Sequence, residues 1–174
     1  YNYAGVDLSA KQIEANRINA EEIFGADPKP NWFIGDSESV LASSEKGNLF
    51  DLVFSCPPYA DLEVYSNDVK DLSNMSYKQF VVKYRAIIAQ AVRLLKRGGY
   101  AVFVVGEVRD KRNNGAYYNF VGDTVKAFID AGADYYNEAI LVTAFGTAML
   151  RTRAFTVARK MVKVHQNILV FRKP

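Results

Sequence analysis

Short apolar runs that end in acidic or turn residues alternate along the chain with stretches of helical period. This is the pattern of βαβ units built on a mostly parallel sheet. Tyr3-Ala4-Gly5-Val6-Asp7 predicts a strand, and Ser9 suits the N-cap of a helix from about Ala10 to Phe24 that exposes Glu21 and Glu22 and stops at Asp27-Pro28-Lys29-Pro30. Asn31 to Asp36 predicts a second strand, followed by a short helix near Ser39 to Ser44. Lys46-Gly47-Asn48 then turns the chain into the run Phe50-Asp51-Leu52-Val53-Phe54-Ser55.

The strongest helical signal runs from about Ser76 to Lys96, where Phe80, Tyr84, Ile87, Ile88, Ala91, Leu94 and Leu95 recur at i, i+3, i+4 and i+7. Arg97-Gly98-Gly99 is expected to end it and launch Tyr100 to Val105, a nearly all-apolar run suited to a strand covered on both faces. Tyr118 to Ala131 predicts a further amphipathic helix closed by Gly132. The last two strands, about Glu138 to Phe145 and Gln166 to Phe171, flank a long basic connection with no crossover helix and therefore read as antiparallel neighbours.

Composition narrows the reading. A chain of 174 residues, 49% hydrophobic, suits one globular domain with a real core. No apolar stretch of about 18 residues and no signal-peptide pattern occurs, so the expectation is a soluble cytoplasmic protein with no membrane partner. One cysteine, Cys56, and one histidine, His165, exclude an internal disulfide and a multi-thiolate zinc cluster. The net charge of +3 is too small for phosphate attraction to be the main argument for nucleic acid. Local clustering matters more: Arg151, Arg153, Arg159, Lys160, Lys163 and His165 form the densest basic region, interleaved with Leu150, Phe155 and Met161, which fits either phosphate contacts or a solvated loop.

Candidate chemistry gathers at the strand ends. Asp7 sits where open α/β sheets bind ligands and where a carboxylate can accept two ribose hydroxyls, although strand-end aspartates also cap helices. Gly35-Asp36-Ser37 repeats the arrangement, suited to an adenine amino group or to a helix cap. Ser55-Cys56-Pro57-Pro58-Tyr59 is more specific. Two prolines after a buried strand remove two donors and leave carbonyls rigidly directed, and the tyrosine adds a flat face for an aromatic amine. Downstream, Asp61, Glu63, Tyr65, Asp68 and Asp71 read as a lid over that pocket or as a solvated loop. Glu107, Arg109 and Asp110 follow the Tyr100–Val105 strand as pocket-lining residues or as an internal ion pair.

In this order, Asp7, Gly35-Asp36 and Cys56-Pro57-Pro58-Tyr59 resemble motifs II, III and IV of DNA amino-methyltransferases over nearly the whole chain. The resemblance implies a Rossmann-like class I methyltransferase fold with an antiparallel last strand and S-adenosyl-L-methionine (AdoMet) as cofactor. It places Asp7 on the ribose and Asp36 near the adenine, with Leu8, Ser37 and Ser55 as further cofactor-binding candidates. Cys56, Pro57, Pro58 and Tyr59 become the catalytic set holding a flipped adenine or cytosine. Ser55, Tyr65, Glu107, Arg151, Arg153, Arg159 and Lys160 are the nucleic-acid candidates, with DNA the expected partner, RNA the alternative and restriction-modification the implied setting.

Two departures stand out. Cys56, a weak acceptor, replaces the usual Asp, Asn or Ser before the prolines; Ser55 takes over through a shifted loop, the Pro57 carbonyl carries the load, or the thiol is tolerated. The glycine-rich loop that such folds carry about 20 residues before Asp7, with its strand, is not seen. The expectation is therefore an N-terminally incomplete chain whose sheet lacks a strand in its middle, completed by a missing segment or a partner chain. Other functions compatible with these residues are a catalytically silent nucleic-acid-binding subunit and a methylase of RNA, a protein amide or a small-molecule amine.

Overall fold

The computed structural model describes residues 2–25, 30–44, 47–59, 63–110, 113, 115–143, 146, 156–157 and 159–174. In chain order the elements are β1 (Ala4–Asp7), α1 (Ala10–Phe24), β2 (Asn31–Ile34), α2 (Ser37–Ala42), β3 (Phe50–Ser55), α3 (Tyr77–Leu94), β4 (Leu95–Val105), α4 (Phe120–Asp130), β5 (Asp134–Val142) and β6 (His165–Arg172). The expected alternation of strand and helix is present, and β6 runs antiparallel to both β4 and β5.

The strands form two sheets. β1 pairs with β2 in parallel, and β3, β4, β6 and β5 lie side by side in that order with β3 parallel to β4. β1 and β3 are thus each paired on one side only among the described residues, at the place where the sequence led us to expect a missing central strand. The two sheets are tied through α2 against α3, where Arg93 of α3 donates to the Leu41 carbonyl at 2.9 Å.

One face of the larger sheet carries the core. Alternate residues Ala101, Phe103 and Val105 of β4, with Leu169 and Phe171 of β6, meet Phe80, Tyr84, Ile88 and Val92 of α3 and Phe120, Ala127 and Phe128 of α4. The period of two on the strands thus closes against the 3.6 period on the helices. The opposite face is open: Leu52 and Phe54 of β3 are 55% and 65% exposed, and Tyr136 and Leu141 of β5 are 55% and 43% exposed. In the smaller sheet, Trp32 of β2 packs where a side chain on Gly5 would sit, and its indole N–H is buried with no partner among the described residues.

Several boundaries differ from the expected ones. α3 stops at Leu94 because Leu95 is already extended, and Arg97-Gly98-Gly99 belongs to the start of β4, where the Gly98 N–H donates to the Lys173 carbonyl at 2.7 Å. α4 begins at Phe120 instead of Tyr118. The Tyr118 N–H is drawn to the Val108 carbonyl, and Asn119 adopts the left-handed conformation. β5 starts at Asp134, before the expected Glu138, and ends at Val142; Phe145 lies outside the described residues. The helix stop at residues 27–29 and the turn residue Lys46 also lie outside them. No helix among the described residues is long and apolar enough to cross a membrane.

Candidate functional site

Parallel strands gather their C-terminal ends, and β1 to β4 each deliver one candidate there. Asp7 closes β1, half-buried, and one of its carboxylate oxygens accepts the Ser9 N–H at 2.7 Å. Ser9 in turn caps α1 by accepting from the Gln12 N–H, as expected from sequence. Asp7 therefore fixes the strand-to-helix turn with one oxygen, and the other has no hydrogen bond among the described residues. Leu8 is half-buried beside it.

Gly35, at φ +154°, has no room for a Cβ, which would meet the Val40 side chain at 2.9 Å. That turn sets Asp36 at the head of α2. Asp36 lies 3.1 Å from the Lys83 ammonium of α3 and accepts the Ser39 hydroxyl at 3.1 Å. Burial raises its pKa, but the bonds from Lys83 and Ser39 outweigh that, and the carboxyl titrates below its ordinary value. Lys83 carries no motif and was not anticipated from sequence. Ser37 opens α2 with its side chain half-buried.

Ser55 ends β3, paired with Phe103, and the chain then leaves the sheet as Cys56-Pro57-Pro58-Tyr59. Pro57 is buried and Cys56 exposed. The Tyr59 ring lies edge-on to Phe120 at 5.9 Å, and its hydroxyl accepts from the Gln166 amide of β6 at 2.7 Å. Burial first, and then the Cys56 thiol beside it, push the Tyr59 phenol far above its ordinary pKa, so it remains protonated. Phe120 extends this support into an aromatic cluster with Phe80 and Tyr84.

Glu107 follows β4, and its carboxylate accepts the N–H groups of Phe120 at 3.0 Å and Val121 at 3.2 Å, capping the N-terminus of α4. Arg109 donates to the Gly115 carbonyl and the Tyr117 hydroxyl and lies over the Tyr117 ring, 4.0 Å from its centroid. Neither arrangement is the ion pair weighed from sequence.

The acidic stretch after the prolines is partly built into the fold. Asp71 is 7% exposed and accepts from the Ser73 N–H and from the hydroxyls of Ser73 and Ser66, which contradicts a wholly solvated loop. Tyr65 is exposed, with its hydroxyl donating to Glu63 at 2.9 Å; that bond is the main reason its pKa is raised. Asp61 lies outside the described residues.

Of the basic region, Leu150, Arg151, Arg153 and Phe155 lie outside the described residues. Arg159 is exposed, in the left-handed region at φ 51°. The Lys160 side chain lies across Gly115, which joins it to the Arg109–Tyr117 turn. Lys163 reaches the strand-end cluster: a Cβ on Gly106 would lie 3.8 to 3.9 Å from the Tyr59 ring, Gln166 and the Lys163 nitrogen alike. Partial burial lowers the Lys163 pKa.

No protein-family model matches the chain. Solved structures do resemble it. TTHA0409 of Thermus thermophilus, assigned as a DNA modification methylase, is 25% identical with a TM-score of 0.58; the match covers 80% of this chain but 51% of that one, so this chain spans about half its length. Magnesium protoporphyrin IX methyltransferase (ChlM) of Synechocystis PCC 6803 is 16% identical with a TM-score of 0.57, over 99% of this chain and 60% of its own. The [4+2]-cyclase SpnF is 15% identical with a TM-score of 0.63, over 99% of this chain and 67% of its own. The fold is the α/β Rossmann-like fold of class I AdoMet-dependent methyltransferases. Because a cyclase shares it, the reaction has to be argued from the site.

Proposed function

We propose that the protein transfers a methyl group from AdoMet to an exocyclic amine of DNA, adenine N6 or cytosine N4. The observation that carries this reading is the Pro57-Pro58-Tyr59 turn at the end of β3, with its ring held between Phe120 and Gln166. The 25% identity to TTHA0409, a protein also crystallised with S-adenosyl-L-methionine, supports the same direction.

The donor set fits AdoMet. Asp7 has a carboxylate oxygen left over from its turn, placed for the ribose hydroxyls, and Asp36 retains acceptor capacity beyond Lys83 and Ser39 for the adenine amino group. Leu8 and Ser37 adjoin these positions in sequence, and Ser55 closes β3. When bound, AdoMet would supply an electrophilic methyl group on a sulfonium, whose S–C bond breaks as the methyl leaves and returns its electron pair to a neutral thioether.

The chain's own groups then act on the target base. Tyr59 offers its ring as a stacking surface, and the Pro57 carbonyl accepts an amine N–H, which turns the nitrogen lone pair toward the methyl group. As the N–C bond forms, the N–H groups become more acidic and bind that carbonyl more tightly, an interaction strongest in the transition state. The amine then releases a proton to solvent. No strong base is needed, consistent with a site built from carbonyls and an aromatic ring. Arg151, Arg153, Arg159, Lys160 and Lys163 supply phosphate contacts.

The same reading assigns the open edges of β1 and β3 to a further parallel strand with a glycine-rich turn, contributed by a segment outside these residues or by a partner chain. The exposed Leu52 and Phe54 support it, as does a Trp32 N–H that is buried with no partner among the described residues.

The test is methylation of mixed-sequence DNA by the full-length protein with labelled AdoMet, beside Tyr59→Ala and Pro57→Ala. Tyr59→Ala should lose at least about 10²-fold in rate, and Pro57→Ala, which keeps the carbonyl but frees the backbone that aims it, should lose about tenfold through poorer positioning. Undiminished transfer by both would remove the site assignment.

A further inference from the structure

The turn that presents Tyr59 leaves its ring free in principle. Two prolines fix the backbone up to residue 58, but neither constrains the torsions of the tyrosine side chain. Surrounding groups do so instead: the Cys56 thiol lies beside the hydroxyl, and two further contacts hold the ring. Phe120 meets the ring edge-on at 5.9 Å and 65°, an apolar contact that permits sliding. The Gln166 amide donates to the hydroxyl at 2.7 Å, a directional bond made at the far end of the ring.

The geometry points to Gln166 as the residue that positions Tyr59, setting the plane on which the target base stacks. Gln166 is half-buried on β6 and paired with Leu141 of β5, so the bond links the antiparallel strand pair to a loop 107 residues earlier in sequence. Its surroundings favour that bond. Gly106, at the end of β4, leaves space in which the Tyr59 ring, Gln166 and Lys163 converge. Burial keeps the phenol protonated, so its oxygen accepts from the amide while its proton is left for the neighbouring Cys56 sulfur. This inference rests on the methylase reading for what the ring does, but not for how the ring is held.

The experiment combines Gln166→Leu, Tyr59→Phe and their double variant in the full-length protein, measured by kcat and KM for DNA and for AdoMet. NMR of tyrosine labelled at Cζ reports the Tyr59 hydroxyl alongside. Gln166→Leu should shift the Tyr59 resonance and lower kcat roughly tenfold, the scale of one lost hydrogen bond plus a misplaced reactant, with KM for AdoMet unchanged. The double variant should be no slower than Tyr59→Phe, because both remove one bond. Gln166→Glu, whose carboxylate cannot donate but accepts the phenol O–H in a reversed bond, should recover most of the rate. A Gln166→Leu penalty that persists in the Tyr59→Phe background, or a Tyr59 resonance that does not move, overturns the inference. Failure of the methylase reading looks different: the wild type transfers no label, while the Tyr59 resonance still shifts with Gln166→Leu.

Discussion

The thiol of Cys56 is the weakest acceptor at the site, and it is exposed next to a buried Pro57. A carboxylate there would accept from the target amine, and hydrogen bonds to charged groups contribute about 1.5–3 kcal/mol. Cys56→Asp is therefore expected to raise kcat about tenfold or more in the labelled-methyl assay; a fall in rate would mean that the Pro57 carbonyl already carries the amine. Asp7→Asn should weaken AdoMet binding about tenfold by calorimetry on the same grounds, since it replaces a charged acceptor with a neutral one. Acid stability tests Asp36 and Asp71. Both sit below their ordinary carboxyl value of 3.8, burial opposing and their hydrogen bonds prevailing. Their stabilisation is fully present above that value and is lost as pH falls through the lower folded values. Asp71→Asn should flatten the acid limb of a denaturation-midpoint-versus-pH curve.

Among the described helices, α3 buries the most side chains, with Phe80 and Ile88 fully buried. Phe80→Ala should cost about 3–5 kcal/mol in denaturant unfolding, because it opens a cavity beneath Tyr84 and Phe120. This helix was legible in sequence, since its apolar period is strong and its start carries the reciprocal Ser76–Gln79 cap. Its end was not. Arg97-Gly98-Gly99 has the composition of a helix stop, yet Gly98 is engaged by the carbonyl of Lys173 from the far end of the chain, which no local window contains. The start of α4 was hidden for the same reason: its cap is Glu107, outside the helix and brought in by the end of β4. The candidate site divides likewise. Asp7, Asp36 and Pro57-Pro58-Tyr59 are local strand-end patterns and were readable, whereas Lys83 and Gln166 touch them only through tertiary contacts.

At the scale of the molecule, the two sheets leave β1 and β3 as edge strands, and an open face lies beside Leu52 and Phe54. Unpaired edges exchange their amide hydrogens faster than strands paired on both sides. In residues 1–174 alone, the β4 and β6 amides should be the most protected and the outward β3 amides markedly less so, read by hydrogen exchange; equal protection would show that the β3 edge is covered. The proposed DNA substrate would be held by the local basic segment, since the net charge is only +3, and on that reading DNA binding should weaken as salt rises. The most direct test of the central claim is mass spectrometry of nucleosides from DNA incubated with the full-length protein and labelled AdoMet. Label in N6-methyladenine or N4-methylcytosine, lost in Tyr59→Ala, is the expected result. Label at a ring carbon, or an unlabelled nucleoside pool alongside a labelled small molecule, would contradict it.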